Sequence, residues 1–243
     1  MFVTNDKSSV WVDDVKFVHM LVQDFRNIAI ELQKYDITAS LGGDGLLKYL
    51  NELVLPVHAS EVRAEEVLKR LPKENQYMLS GVEVGVFAGE MSKWLLARND
   101  IRLTMVDSWT THEKEGQYAD SEDFHANLSQ DEQDYYQQMA KSAVAFAGDR
   151  ACIVKASSLD ASKLCDDESL DFIFIDADHS YEGCKADLEA WFSKVKKGGL
   201  FGGHDYENTE YPKFGVTKAV DEFAAKHKLI LEFGENFTWF AYK

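Results

Sequence analysis

Two short segments of the sequence place carboxylates beside imidazoles. Asp176 and His179 follow an apolar run, and His204 and Asp205 directly follow a glycine-rich run further along the chain. Carboxylate oxygens and imidazole nitrogens bind hard and borderline divalent cations. If the two segments end neighbouring strands, we expect Asp176, His204 and Asp205 to converge on one such cation, with His179 close enough to act as a general base. The alternative is that these side chains cap helices and hydrogen-bond one another.

A second group of residues is typical of a nucleotide-like ligand. Gly85 and Gly89 allow a tight backbone turn and leave room for a ligand beside a helix N-terminus. Their spacing matches neither the dinucleotide fingerprint nor a phosphate-binding loop, which argues against NAD and ATP. Asp107 ends the next apolar run, where a carboxylate can hold a ribose diol. Ser157 and Ser158 offer hydroxyls for an adenine pocket or for a helix cap, and Ser158 is the expected cap.

Short β-branched runs alternate with helical patterns from Met78 onward. This alternation predicts an α/β fold, a doubly wound, Rossmann-like sheet with helices on both faces, in which ligands bind beyond the carboxyl ends of the strands. The last two runs are too close for a crossover, so they must form an antiparallel hairpin that reverses one edge strand. The predicted strands are Gly81–Val86, Ile101–Asp107, Ala151–Ala156, Leu170–Asp176, Gly199–Gly203, Leu229–Phe233 and Phe237–Tyr242, and the predicted helices are Glu90–Arg98, Asp131–Phe146, Ser158–Cys165, Tyr181–Val195 and Val216–His227.

The first part of the chain has a different pattern. Apolar residues at three- and four-residue spacings predict amphipathic helices over Asp13–Tyr35, Gly45–Leu55 and Glu61–Leu71. We therefore expect two parts, an all-helical N-terminal appendage over residues 1–76 and an α/β domain over residues 77–243. The appendage is expected to cover the pocket as a lid or to form a dimer contact.

The composition limits the partners of the protein. Lys plus Arg total 26 and Asp plus Glu total 42, a formal charge of 26 − 42 = −16. Such a surface repels nucleic acid and anionic membranes. The three cysteines form no CxxC pair, and the sequence contains neither a basic, apolar leader nor a membrane-length apolar run. These features predict a cytoplasmic protein that acts on a small molecule and can form a homo-oligomer.

The acidity is concentrated in residues 113–134. This segment has two interpretations: a solvated loop, or a lid that attracts a cationic substrate. It contains the carboxylates of Glu113, Glu115, Asp120, Glu122, Asp123, Asp131, Glu132 and Asp134, with Lys114 as the one basic residue.

Over roughly residues 78–243 the sequence resembles the class I S-adenosylmethionine-dependent methyltransferases. The resemblance implies a seven-stranded sheet with the last strand antiparallel. It rests on motifs that occur in the order found in that family, namely Glu83-x-Gly85-x-x-x-Gly89, Asp107, Ala156-Ser157, Asp176 and Gly198-Gly199.

Two further blocks are more specific. Residues 175–183, with the sequence IDADHSYEG, and residues 202–206, with the sequence GGHDY, resemble a branch of small methyltransferases. This branch is related to the metal-dependent O-methyltransferases of catechols, caffeoyl-CoA and macrolide sugars. The resemblance therefore implies transfer of a methyl group to a hydroxyl, assisted by a divalent cation, with Mg²⁺ favoured.

The resemblance also implies roles for individual residues. Glu83, Gly85 and Gly89 would hold the methionyl end of S-adenosylmethionine, Asp107 its ribose and Ser157 its adenine edge. Asp176 would ligate the cation close to the amino group of the cofactor, and His204 and Asp205 would complete the protein ligands. His179 would be the catalytic base, at a position where the catechol enzymes have a lysine.

Alternatives stay open at this stage. The catechol and caffeoyl-CoA enzymes have a carboxylate followed by an amide where this sequence has His204-Asp205, so a different metal, or none, is conceivable. Two histidines and a carboxylate also suit a non-haem iron oxygenase, and the fold can serve a non-catalytic cofactor-binding or scaffold protein. A sugar is favoured over a catechol as substrate. Aromatic residues that either wall its pocket or belong to the core are Trp109, Tyr118, Tyr135, Tyr136, Tyr206 and Tyr211.

Overall fold

The computed structural model describes residues 2–3, 9–10, 59–73, 77–111 and 124–243. The chain divides into two compact units, Met1–Pro56 and Val57–Lys243. In the first unit, strands β1 (Phe2–Val3) and β2 (Ser9–Val10) pair antiparallel. The expectation of an all-helical appendage is therefore wrong for these residues. The predicted helices Asp13–Tyr35 and Gly45–Leu55 lie outside the described residues.

The third predicted helix is present and belongs to the second unit. Helix α1 spans Ala59–Arg70, begins two residues before its predicted start, and buries Ala64 and Val67. It packs against helix α2 (Glu90–Leu96). Helix α1 is therefore part of the same compact unit as the sheet.

A seven-stranded sheet forms the centre of the second unit. Its strands are β3 (Leu79–Val84), β4 (Ile101–Asp107), β5 (Ala151–Lys155), β6 (Leu170–Ile175), β7 (Val195–Gly203), β8 (Glu232–Phe233) and β9 (Trp239–Tyr242). Their spatial order is β5, β4, β3, β6, β7, β9 and β8, and the first five run parallel. The last strand, β9, is antiparallel as predicted, but it lies between β7 and β8 and is not an edge strand.

Helices cover both faces of this sheet. Besides α1 and α2, the helices are α3 (Gln130–Ala143), α4 (Ser158–Lys163), α5 (Tyr181–Phe192) and α6 (Val216–His227), with short 3₁₀ helices at Phe124–Asn127 and Ala145–Arg150. Because successive strand residues point to opposite faces, Phe172 and Phe174 join one apolar cluster with α1, α2 and α3, while Ile173 and Ile175 join a second cluster with α5 and α6. The doubly wound prediction is thereby confirmed.

Helix caps account for part of the acidic segment. Ser129 and Glu132 form a reciprocal capping box at the start of α3, and the bonds from Ser129 lower the pKa of Glu132. Asp134 accepts hydrogen bonds from Gln130 at 2.8 Å and from Lys155 at 3.3 Å. These acidic residues therefore have local structural partners, whereas residues 112–123 lie outside the described part of the chain.

The close approach of the backbone at the ends of β3 and β6 requires the glycine at Gly85. Its φ is +86°, and a Cβ atom at this position would lie 1.8 Å from the backbone oxygen of Asp176. Gly198 has a similar φ of +77°, but a Cβ atom there would meet nothing within 4 Å. The two glycines therefore share the left-handed backbone and differ in the close approach.

We expect Gly85→Ala to destabilise the protein more than Gly198→Ala. The Gly198 substitution should cost about 1 kcal/mol, which is the strain of alanine in a left-handed conformation. The Gly85 substitution should cost more, because the added Cβ atom clashes with the backbone oxygen of Asp176. Relieving this clash requires the end of β6 to move. Urea unfolding of both variants would measure the difference, and equal losses would contradict the close approach at Gly85.

Candidate active site

Four side chains meet where strands β6 and β7 end. His179 Nε2 lies 3.2 Å from Asp176 Oδ1 and 2.8 Å from Asp205 Oδ2. His204 Nδ1 lies 3.3 Å from Asp176 Oδ1 and 3.1 Å from Asp205 Oδ2. Each imidazole therefore bridges both carboxylates. We call Asp176, His179, His204 and Asp205 the His/Asp cluster.

The register of the sheet brings the cluster together. Ile175 pairs with Gly203 across the parallel strands β6 and β7, so Asp176 and His204 follow paired residues. The His204 amide donates to the Ile175 carbonyl at 3.1 Å, which extends the pairing by one step. Asp205 then adopts a φ of +63°, a conformation that Asp tolerates better than most residues, and this turns its carboxylate back toward the cluster.

Opposite charges offset the burial of the cluster. Burial disfavours ionisation of Asp176, but the charge of His204 and the hydrogen bond from His179 hold the pKa of Asp176 well below its usual range. The pKa of Asp205 is lowered in the same way, against burial, by hydrogen bonds from His179 and His204. Burial also opposes the charged form of His204, yet Asp176 and Asp205 outweigh it and raise the pKa of His204 to about 9.

The donor set of the cluster fits a divalent cation. One ligand atom each from Asp176, His179 and Asp205 lies within 4.8 Å of the other two, and His204 Nδ1 contacts the same two carboxylates. Two carboxylates and an imidazole suit borderline cations as well as hard ones. The fold therefore brings the predicted ligands Asp176, His204 and Asp205 together, and it places the predicted base His179 within 3.2 Å of both carboxylates.

Arg63 of helix α1 also contacts the cluster. Its Nε lies 3.8 Å from Asp176 Oδ2, and its Nη1 lies 3.4 Å from His204 Nε2 and donates to Asn236 Oδ1 at 3.2 Å. Among the described residues, Arg63 Nε is buried without a hydrogen-bond partner. Sequence reasoning missed Arg63 because it lies on a surface-like helical pattern far from the motifs in the chain.

A cavity of ≈ 370 Å³ opens beside the cluster. Its lining includes five of the six predicted cofactor residues: Glu83, Gly85, Asp107, Ser157 and Asp176. The sixth, Gly89, does not line it, although its neighbours Ala88 and Glu90 do. A Cβ atom on Gly89 would lie 2.8 Å from the Ala140 Cα atom, so this glycine lets α3 pack against the start of α2.

Asp107 organises the glycine-containing loop. Its Oδ2 accepts hydrogen bonds from the amides of Val86 and Phe87, both at 2.9 Å, and its Oδ1 accepts one from the Trp109 amide at 2.8 Å. The side chain of Trp109 is fully buried and donates to the Phe87 carbonyl, so this aromatic residue belongs to the core. Asp107 thus holds the loop that borders the cavity.

The two serines after β5 have different local roles. Ser157, not Ser158, is the N-cap of α4, because Ser157 Oγ accepts from the Asp160 amide at 3.2 Å. The expectation of a cap at Ser158 is therefore wrong: Ser158 is the first residue of the helix, and its hydroxyl donates to Asp187. Both serines line the cavity.

Glu83 is a buried carboxyl group in the cavity wall. It is 2% exposed, and its Oε2 accepts a hydrogen bond from Ser92 Oγ. Burial raises the pKa of Glu83 to about 8, against the hydrogen bond from Ser92. Glu83 is therefore mostly protonated at neutral pH.

Comparison with known proteins identifies the family. A family model described as a methyltransferase domain matches residues 82–206, more than half of the 243-residue chain. The chain belongs to this methyltransferase family. It is a class I S-adenosylmethionine-dependent methyltransferase with the Rossmann-like, seven-stranded sheet that the resemblance implied. No protein with a curated description matches the sequence.

Solved structures share the fold of the methyltransferase at low sequence identity. One is the apo form of CalS11, a TDP-rhamnose 3′-O-methyltransferase of calicheamicin biosynthesis, with a TM-score of 0.54, 15% identity and coverage of 87% of this chain and 91% of that one. Another structure of CalS11 has a TM-score of 0.57 and 14% identity, covering 99% of both chains. The O-methyltransferase NovP has a TM-score of 0.51 and 17% identity, covering 76% and 77%.

Family membership favours methyl transfer over the iron-oxygenase and scaffold alternatives. Within the described part of the methyltransferase, no helix combines the length and apolar composition of a membrane span.

We expect Glu83→Gln to flatten the pH dependence of stability. Because the pKa of Glu83 is raised in the folded protein from 4.5 to about 8, the folded state keeps a proton that the unfolded chain loses within this range. The stability contributed by the protonated form is therefore lost as the pH rises from 4.5 to about 8, with a slope of up to about 1.4 kcal/mol per pH unit.

Chemical denaturation across this pH range would measure the effect. The exposed Glu235→Gln is the matched control and should keep the wild-type slope. If Glu83→Gln also keeps the wild-type slope, the pKa of Glu83 is not raised in the folded state.

Proposed function

We propose that the methyltransferase methylates a hydroxyl group of a small metabolite, with a sugar favoured over a catechol, and that His179 is the general base. The observation that carries this proposal is the position of His179, which lines the cofactor cavity while its Nε2 contacts both Asp176 and Asp205. A base at this point borders the space in which donor and acceptor must meet. The names of CalS11 and NovP, both O-methyltransferases, support a hydroxyl acceptor.

The cofactor is assigned to the cavity along the ends of strands β3, β4 and β5. Glu83 and Gly85 border the end next to Asp176, which suits the methionyl group, and Gly89 ends the loop that follows Gly85. Asp107 suits the ribose and Ser157 the adenine edge. Bound S-adenosylmethionine supplies the electrophilic methyl group, and a divalent cation lowers the pKa of a hydroxyl that it binds.

The cation is assigned to Asp176, His204 and Asp205, with Mg²⁺ favoured. The two carboxylates are ionised because the pKa of each is held low, so they present negative oxygens to the cation. His204 Nδ1 faces both carboxylates, and His204 does not line the cavity, which supports a ligand role over a base role. Because the pKa of His204 is raised to about 9 by the two carboxylates, His204 would release a proton when it binds the cation.

His179 is held in a fixed orientation. Its ring stacks on Phe214 with 4.4 Å between ring centroids and an interplanar angle of 10°, and its side chain is 10% exposed. The proton from the acceptor hydroxyl is taken up by the imidazole of His179 at Nδ1, because Nε2 carries the proton that is donated to the carboxylates. Asp176 and Asp205 then stabilise the imidazolium, because both carboxylates lie within 3.2 Å of Nε2.

The acceptor is assigned to a second cavity of ≈ 470 Å³, whose lining includes Asp205 of the His/Asp cluster. Tyr211 and Phe214 line it and stack on each other with 4.8 Å between centroids, together with Asp205 and Asn208. An aromatic face beside acidic and amide groups suits a polyhydroxylated ring.

Helix α1 is the part of the N-terminal residues 1–76 that we assign as a lid. Ser60 and Arg63 of this helix line the cofactor cavity. We also propose that the enzyme acts in the cytoplasm, which is supported by three free cysteines, Cys152, Cys165 and Cys184. Formation of a homo-oligomer is part of the same proposal.

Titration calorimetry with S-adenosylhomocysteine tests the cofactor assignment. Metal-free enzyme should bind this product analogue with micromolar affinity because, apart from Asp176, the residues assigned to the cofactor are not assigned to the cation. Added Mg²⁺ or Mn²⁺ should then be required for the binding of a hydroxylated acceptor from a panel of sugars and catechols. Enzyme that binds no S-adenosylhomocysteine in any condition would contradict the assignment.

Single substitutions separate the base from the metal ligand. His179→Ala should lower kcat at least about 100-fold with the acceptor found in the panel, because general-base catalysis contributes about that much, and should leave Mn²⁺ and S-adenosylhomocysteine affinity nearly unchanged. His204→Ala should weaken Mn²⁺ binding. The roles would be exchanged if His179→Ala lost the metal while His204→Ala kept it.

A further inference from the structure

A buried line of hydrogen bonds ends at the cofactor cavity. Trp191 Nε1 donates to Ser158 Oγ at 2.8 Å, and Ser158 Oγ donates to Asp187 Oδ1. Trp191 is 1% exposed and Asp187 4% exposed, yet Asp187 is part of the cavity wall. The proposed cofactor, metal and base roles do not involve Trp191, Ser158 or Asp187.

The direction of the line is determined by its first member. An indole N–H can only donate, so Ser158 Oγ accepts from Trp191 and its own proton is directed to Asp187 Oδ1. Oδ1 is therefore an acceptor in either protonation state of Asp187. The second oxygen, Oδ2, has no hydrogen-bond partner among the described residues. Oδ2 is therefore the atom of Asp187 that is available to a ligand.

The position of Asp187 matches the base end of the cofactor. The methionyl end is assigned next to Asp176 and the ribose next to Asp107, so the adenine lies at the remaining end, beyond β5. There the wall is formed by Leu159 from α4 and by Gly183, Ala186 and Asp187 from one face of α5. Apolar side chains can sandwich a purine, and a carboxyl group can hydrogen-bond its edge.

The buried carboxyl group of Asp187 needs a hydrogen-bond partner for its second oxygen. Burial raises its pKa to about 7, against the hydrogen bond from Ser158, and the neighbouring charge of Asp178 raises it further. A carboxyl group held in this state destabilises the fold unless a ligand or another group satisfies it. An amino group of the ligand is a suitable partner, because it donates.

We infer that Asp187 Oδ2 accepts a hydrogen bond from the exocyclic amino group of the cofactor adenine and thereby selects adenine over a 6-oxopurine. Asp187 is thus a specificity-determining residue, oriented by Ser158 and Trp191. This inference rests on the cofactor placement in the proposed function.

The test compares two ligands by titration calorimetry. S-adenosylhomocysteine carries the amino group on C6 of the purine, whereas S-inosylhomocysteine carries a carbonyl oxygen there and so replaces a donor by an acceptor. The measurement is made above the pKa of about 7, where Asp187 is ionised. The wild-type enzyme should prefer the adenosyl ligand by about 10-fold or more, the value of one hydrogen bond to a charged group.

Asp187→Asn is the decisive variant. Ser158 still requires an acceptor, so the amide oxygen occupies the Oδ1 position and the NH₂ group replaces Oδ2. This exchange of acceptor for donor should remove the preference for the adenosyl ligand and shift it toward the inosyl ligand. Ser158→Ala, which removes the orienting bond, should weaken the preference without reversing it, and the exposed Asp149→Asn should leave it unchanged.

The outcomes separate the role of Asp187 from the placement of the cofactor. A wild-type enzyme that binds both ligands equally, or an Asp187→Asn variant with the wild-type preference, would overturn the role of Asp187. If Asp187→Asn fails to fold, an unchanged preference in Ser158→Ala overturns it instead. A wild-type enzyme that binds neither ligand would overturn the cofactor placement itself.

Discussion

The parallel pairing of β3, β6 and β7 is the constraint on which the rest of the site depends. The Asp176 amide donates to the Val84 carbonyl at 2.8 Å, and the His204 amide donates to the Ile175 carbonyl at 3.1 Å. These bonds continue the ladder by one residue beyond each strand. Parallel strands end at the same edge of a sheet, so residues distant in sequence share one location. The absence of a side chain at Gly85 allows this close approach, because the Asp176 carbonyl occupies the position that a Cβ atom would take.

Charge compensation keeps this edge stable. The buried carboxylate of Asp205 and the partly buried carboxylate of Asp176 would repel each other, and each would be costly to remove from water alone. The imidazoles of His179 and His204 bridge both carboxylates, and Arg63 adds a guanidinium group from α1. The same balance makes the cluster suitable for a cation, because ionised carboxylates are already present. Helix α1 therefore contributes both apolar packing, through Ala64 and Val67, and a charge to the compact unit of the sheet.

Helix α5 carries two residues of the cavity wall into their positions. It begins at Tyr181, just after His179, with Ser180 as its cap, and its second turn carries Asp187 to the start of α4, where Ser158 contacts it. The proposed base and the proposed adenine contact are therefore positioned by one element, whose apolar side packs through Leu188 and Trp191 into the core of the sheet.

Local patterns determined a large part of this structure. The periodicities predicted the strand Ile101–Asp107 and the helix Val216–His227 with their observed bounds, and the motifs located the cavity and the His/Asp cluster. The tertiary structure alone decided the position of β9 inside the sheet and the contacts of Arg63 and Asp187. Strand order and contacts between distant residues depend on how elements pack, and nothing in local spacing encodes that. Residue type and periodicity therefore determined which chemistry is available, whereas packing decided which side chains meet to perform it.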